Sequence, residues 1–173
     1  MSLVLGVDPG SLKTGFGLVH NVGGRQSYCA SGVIKIPPKL TLPERLGLIF
    51  ESLTEVIEKY QPTDFAIENV FMSKNAGSAL KLGQARGAAI VAATASELPV
   101  SEYEARKIKQ SVVGTGAADK LQVQHMVQTL LKLSQSPQED AADGLAVAIC
   151  HINTQQHLIS VATSKTFRRG RIV

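Results

Sequence analysis

The chain has 173 residues, 44% of them apolar and 18% charged, with a formal net charge of +4. That balance supports one hydrophobic core and excludes a mostly disordered chain. No apolar run approaches the ~20 residues that cross a bilayer, which excludes a membrane-spanning helix.

The charge is unevenly placed. Residues 69–138 hold 8 basic and 4 acidic side chains, whereas 139–164 hold 3 acids and no base. Lys165, Arg168, Arg169 and Arg171 then follow without an acid and supply the whole surplus. The expectation is a neutral body over residues 1–160 and a basic, mobile tail over 161–173. Cys29 and Cys150 are far apart and form no C-x-x-C, so neither a disulfide scaffold nor a zinc site is indicated. The first apolar run is interrupted early by Asp8 and does not read as a secretion signal. A reduced, cytoplasmic protein is expected.

In chain order, Leu3–Val7 is a continuous apolar run, a strand buried on both faces, and Asp8-Pro9-Gly10-Ser11 turns it. Gly15–Asn21 and Gln26–Ile36 flank Gly23-Gly24 as a hairpin. Thr41-Leu42-Pro43-Glu44 has capping-box spacing, and Leu46, Ile49, Leu53, Val56 and Tyr60 recur at helical spacing, predicting a helix over 43–60. Phe65-Ala66-Ile67-Glu68 is a short strand ending in an acid. Residues 75–97 predict a long helix despite Gly77, Gly83 and Gly87, each costing about 1 kcal/mol relative to Ala, so close approach to another element is expected there. A strand over 99–103 and helices over 105–113, 118–133 and 137–157 follow, the last opening on a second capping-box pattern, Ser136-Pro137-Gln138-Glu139. The whole reads as a single α/β domain.

Asp8 and Glu68 each end an apolar strand, a costly place for a charge unless something compensates it. The first and fourth strands can lie parallel and adjacent, bringing both carboxylates to one rim, where ligands gather in α/β sheets. Asp140 and Asp143 share a helix face at i, i+3, although Glu139 is i, i+4 from Asp143 and spacing leaves both pairings open. Taken singly, each acid is ordinary, as a turn residue or a helix-dipole partner. If they converge, an all-oxygen set favours Mg²⁺ or Mn²⁺ over zinc. Four carboxylates balance two divalent ions, which ~3.5–4 Å apart support phosphoryl transfer.

The stretches L-G-V-D-P-G-S at 5–11, A-I-E-N-V-F-M-S-K-N-A at 66–76, A-L-K-L-G-Q-A-R-G at 79–87, K-Q-S-V-V-G at 109–114 and D-A-A-D at 140–143 resemble the RuvC family of bacterial Holliday-junction resolvases. The resemblance runs over about residues 3–150. It implies an RNase H-like fold, a five-stranded mixed sheet of order 3-2-1-4-5 flanked by helices. It also implies Asp8, Glu68, Asp140 and Asp143 as catalytic metal ligands, choosing Asp140 over Glu139, with two Mg²⁺ ions and Mn²⁺ able to substitute. The implied activity is paired nicking of a four-way DNA junction by a homodimer, leaving 5′-phosphate and 3′-hydroxyl ends in recombination and repair. Coupling to a RuvA–RuvB branch-migration complex is implied as well. Phe71 and Lys74 follow Glu68 in a loop suited to a distorted junction, Lys109 and Lys120 match phosphate contacts of the family, and Lys81 is a further DNA-contact candidate. The helix over 75–97 is the implied dimer element.

Overall fold

The computed structural model describes residues 1–69 and 75–169, with side chains as far as Val161. Its elements are β1 (Ser2–Asp8), β2 (Lys13–Val22), β3 (Arg25–Lys35), α1 (Leu42–Tyr60), β4 (Asp64–Asn69), α2 (Ala76–Ala95), β5 (Val100–Glu104), α3 (Ala105–Val113), α4 (Lys120–Leu130) and α5 (Glu139–Arg169). The strands form one sheet of order β3-β2-β1-β4-β5. β1 is antiparallel to β2 and β2 to β3, whereas β1–β4 and β4–β5 are parallel.

Each face of the sheet carries its own core, as the alternation of side chains along a strand requires. Val4, Val19 and Ala66 pack under α5, α3 and α4, with Leu145, Ile149, Ile108 and Val127. Leu5, Val7, Leu18, Phe65 and Ile67 pack under α1 and α2, with Ile49, Leu53, Ala85 and Ala89. The unbroken apolar stretch of β1 is thus a strand covered on both sides. His151 is buried in the first core without cost to its polarity: its Nδ1 lies 2.9 Å from the Tyr103 hydroxyl and its Nε2 2.8 Å from the Gln155 amide.

Helix boundaries follow local chemistry. At the start of α1 the Glu44 carboxylate accepts from the backbone N–H and the hydroxyl of Thr41, each at 2.7 Å. α1 ends on Gln61 in the left-handed region (φ 50°), just before Pro62. Two expected boundaries need correction. The helix expected over 118–133 is α4, confined to 120–130. Asp119 caps it, accepting from the Gln122 N–H at 2.8 Å, while the Gln122 side chain accepts from the Asp119 N–H at 2.9 Å. The last helix begins at Glu139 and runs to Arg169, past the expected end at 157. Nothing between Leu145 and Arg169 breaks it, because that stretch holds neither Gly nor Pro.

Within one chain the α2 glycines meet no close neighbour: a Cβ at Gly83 or Gly87 would meet nothing among the described residues within 4 Å. The glycines that do permit close approach lie elsewhere. A Cβ on Gly6 would come within 2.3 Å of the Gly144 carbonyl oxygen, and one on Gly17 within 2.6 Å of Leu145. One on Gly144 would come within 2.6 Å of the Phe16 backbone. Helix and sheet therefore touch backbone to backbone. Gly144→Ala is expected to destabilise the fold by about 3 kcal/mol, since neither backbone can move aside cheaply, as read from urea unfolding.

Candidate active site

The parallel register of β1 and β4 pairs Val7 with Ile67, so Asp8 and Glu68 end neighbouring strands at one level. Both project toward α5, because they lie two residues beyond Gly6 and Ala66, which face that helix. The first turn of α5 arrives from above. Gly15, the register partner of Asp8, lies so close beneath it that a Cβ there would fall 1.8 Å from the Asp140 carbonyl oxygen. Asp140 and Asp143 thereby reach the same rim.

A cleft of about 260 Å³ opens there, lined by Asp8, Glu68 and Asp143 together with Lys109 of α3 and Lys120 of α4. Ile108, Val123 and Ala146 supply its apolar wall. Asp140 stands beside this cleft, 3.5 Å from the Lys13 ammonium. Lys120, held at the first position of α4 by the Asp119 cap, pairs with Glu139 at 2.7 Å and Asp143 at 3.7 Å. The expected capping role of Glu139 is thus replaced: it opens α5 at its first residue and serves as an anchor for Lys120.

Desolvation dominates the electrostatics. Burial first, then the negative charges of Glu68, Asp143 and Asp140, push Asp8 up to about 8, against a lowering by Lys120. Burial and Asp143 push Glu68 to about 7, with Lys109 and Lys120 opposing. Asp143 is raised as well, by burial first. Among the described residues, neither the Asp8 nor the Glu68 carboxylate has a hydrogen-bond or ion-pair partner that offsets this cost.

Such a cluster suits a hard divalent cation. Its donors are all carboxylate oxygens, and two of them are half-buried with too little positive charge nearby. Among the described residues no three acidic, histidine or cysteine side chains stand together ready to hold a metal ion. Asp140 lies beside the cleft against Lys13, whereas Asp143 lines it together with Lys120.

The remaining candidates divide. Lys109 and Lys120 line the cleft. Lys81 lies across the sheet, at a separate cavity of about 200 Å³ with Ser11, Arg45 and Ile49. Phe71 and Lys74 lie outside the described residues. Lys13 and the anchoring role of Glu139 were not anticipated. The Asp119–Gln122 cap was legible as D-x-x-Q, whereas nothing local to Lys13 marks it as a site residue.

A five-stranded sheet of order 3-2-1-4-5 with acids ending its two central strands defines an RNase H-like nuclease fold. Residues 4–151 match the family model described as crossover junction endodeoxyribonuclease RuvC. The chain is 72% identical over 173 residues to the protein of that name from Saccharophagus degradans, and 68% identical over 177 residues to that from Teredinibacter turnerae, each alignment covering 100% of both chains. Its structure superposes on Thermus thermophilus RuvC in complex with Holliday junction substrate with a TM-score of 0.85 at 33% identity, covering 91% of this chain and 96% of that one. The chain belongs to the RuvC family.

The raised carboxyls predict a pH dependence for the metal-free protein. Asp8 and Glu68 hold their protons in the folded state to about 8 and about 7, well above the values of 3.8 and 4.5 normal for unfolded chains. The folded state therefore binds more protons between these limits, and stability falls as pH rises through that window. With a chelator present, the Tm is expected to drop from pH ~5 to pH ~9, and Asp8→Asn to flatten the drop.

Proposed function

We propose that this chain resolves four-way DNA junctions as a structure-selective endonuclease, hydrolysing one phosphodiester in each of two opposing strands. The observation that carries this reading is the pairing of half-buried, unneutralised Asp8 and Glu68 with Asp143 in one cleft flanked by Lys109 and Lys120. Phosphodiester hydrolysis needs concentrated positive charge and an activated water, and Mg²⁺, with Mn²⁺ as substitute, supplies both when bound between carboxylates. Asp8, Glu68, Asp140 and Asp143 would hold two such ions. The products are a 5′-phosphate and a 3′-hydroxyl.

The chain's own residues have separable tasks. Asp8 and Glu68 ride on the rigid ends of paired strands, so their positions are set by the sheet ladder. Asp143 comes from the helix and closes the site from the other side. The apolar wall of Ile108, Val123 and Ala146 keeps the dielectric low, which strengthens charge interactions within the cleft. Lys109 and Lys120 project cations at its mouth, where a phosphate backbone would be drawn in, making binding steeply salt dependent. The basic residues past 161 add to that attraction, and Phe71 and Lys74, three and six residues after Glu68 in the chain, are further DNA-contact candidates by resemblance to the family.

Paired nicking calls for two sites related by two-fold symmetry. α2 offers a suitable face: Leu80 and Val91 are exposed, and with Gly83 and Gly87 they form a stripe at helical spacing that no described residue covers at the glycines. A homodimer through α2, acting in the cytoplasm beside a branch-migration complex, completes the reading. Gly87→Leu is expected to give folded monomers by sedimentation, with the far-UV spectrum unchanged.

The decisive experiment compares four-way junctions, linear duplexes and RNA–DNA hybrids with Mg²⁺, with product ends mapped. Selective cutting of junctions is expected, and Asp8→Asn should abolish it while junction binding persists. Cutting of hybrids without junctions would replace this reading with that of a ribonuclease on the same fold.

A further inference from the structure

Lys13 opens β2 and lies on the same face of that strand as Gly15, two residues on. Gly15 is the floor on which the first turn of α5 rests, against the Asp140 carbonyl oxygen. Lys13 is thereby aimed at the Asp140 side chain, and its ammonium lies 3.5 Å from Oδ2. This is the one ion pair that Lys13 makes among the described residues. Asp140 is correspondingly the one of the four acids that does not line the cleft.

Lys120 contrasts with it. It stands 3.7 Å from Asp143 but 2.7 Å from Glu139, so within the cleft that it shares with Asp143 it keeps a second anchor. Lys13 has no comparable second ion pair among the described residues. The pair is also a poor stabiliser of the fold: the lysine side chain is 56% exposed, and such pairs contribute little. Its consequence falls on Asp140, which has to leave Lys13 to join Asp8, Glu68 and Asp143.

We propose that Lys13 is a positioning residue that holds Asp140 away from the carboxylate cluster and competes with the divalent cation for it, thereby setting the metal affinity of the site. This rests on reading the four acids as the metal site. In the absence of metal, Lys13 lessens the negative charge that Asp140 adds to the other three. When the cation arrives, Asp140 exchanges one positive partner for another, and the cost of breaking the Lys13 contact is subtracted from binding. Removing Lys13 removes that competition. Exposed pairs of this kind are worth little in free energy, so the effect should be modest, about two- to fivefold in affinity.

The test is calorimetric titration of the full-length protein with Mn²⁺ and Mg²⁺, without DNA, so that no readout depends on cleavage. Lys13→Gln is expected to bind the ions about two- to fivefold more tightly than the unsubstituted protein, and Lys13→Arg to bind them as the unsubstituted protein does. Lys35, the register partner of Lys13 on β3, provides the control for a general loss of surface charge. Lys35→Gln should leave the affinity nearly unchanged. Equal tightening by Lys35→Gln, or an unchanged or weaker affinity in Lys13→Gln, would overturn the proposal. Asp8→Asn separates this from failure of the metal-site reading: if the unsubstituted protein binds no ion, or binds as well with Asp8→Asn, the metal site itself is wrong.

Discussion

The contact on which the rest of the structure depends is the backbone-to-backbone seating of α5 on the central strands. A helix normally stands off a sheet by the depth of two side-chain layers. Here Gly6, Gly15 and Gly17 remove one layer, and Gly144 removes the other where the helix crosses Phe16. The helix sinks until its own main chain meets the strands. That depth places the first turn of α5 level with the ends of β1 and β4. Without it, Asp140 and Asp143 would stand above the rim, out of reach of Asp8 and Glu68.

The same seating creates the electrostatic problem that defines the site. Bringing the helix down leaves Asp8 and Glu68 half-buried beneath it, and desolvation is the largest cause raising both carboxyls. Glu139 and Asp140 sit at the start of the helix, where its dipole favours negative charge, so two acids there are tolerated. Asp8 and Glu68 end strands and have no such help. The protein answers with lysines from three different elements, Lys13, Lys109 and Lys120, each short of full neutralisation. A site left short of positive charge in this way stores affinity for a cation, at the expense of stability when the cation is absent.

Much of this was readable in the chain. The order of elements along the chain, the two-faced burial of β1 and the placing of acids at two strand ends follow from hydrophobic patterning, whereas the strand order within the sheet came from the RuvC resemblance. The glycines that allow close approach within the chain were misjudged for a physical reason. Gly83 and Gly87 attract notice because glycine is unfavourable within a helix, yet no described residue lies within 4 Å of a Cβ at either. Gly6 and Gly17 sit in strands, where a glycine is commonly read as a weak point rather than as a seat for a helix. The start of α5 was misjudged similarly: Ser136–Glu139 has capping-box spacing, but Glu139 is engaged by Lys120, a residue from another helix.

What the sequence by itself determined are the properties set by neighbours along the chain: which segments are strands and helices, where caps begin them, and which acids end apolar runs. What only the tertiary structure decided is which charges face one another. Lys13 and Asp140 are separated by most of the chain, and Asp8 and Glu68 by a hairpin and a helix. Their interaction energies depend on distance and burial, and both quantities exist only once α5 has settled onto its glycine floor.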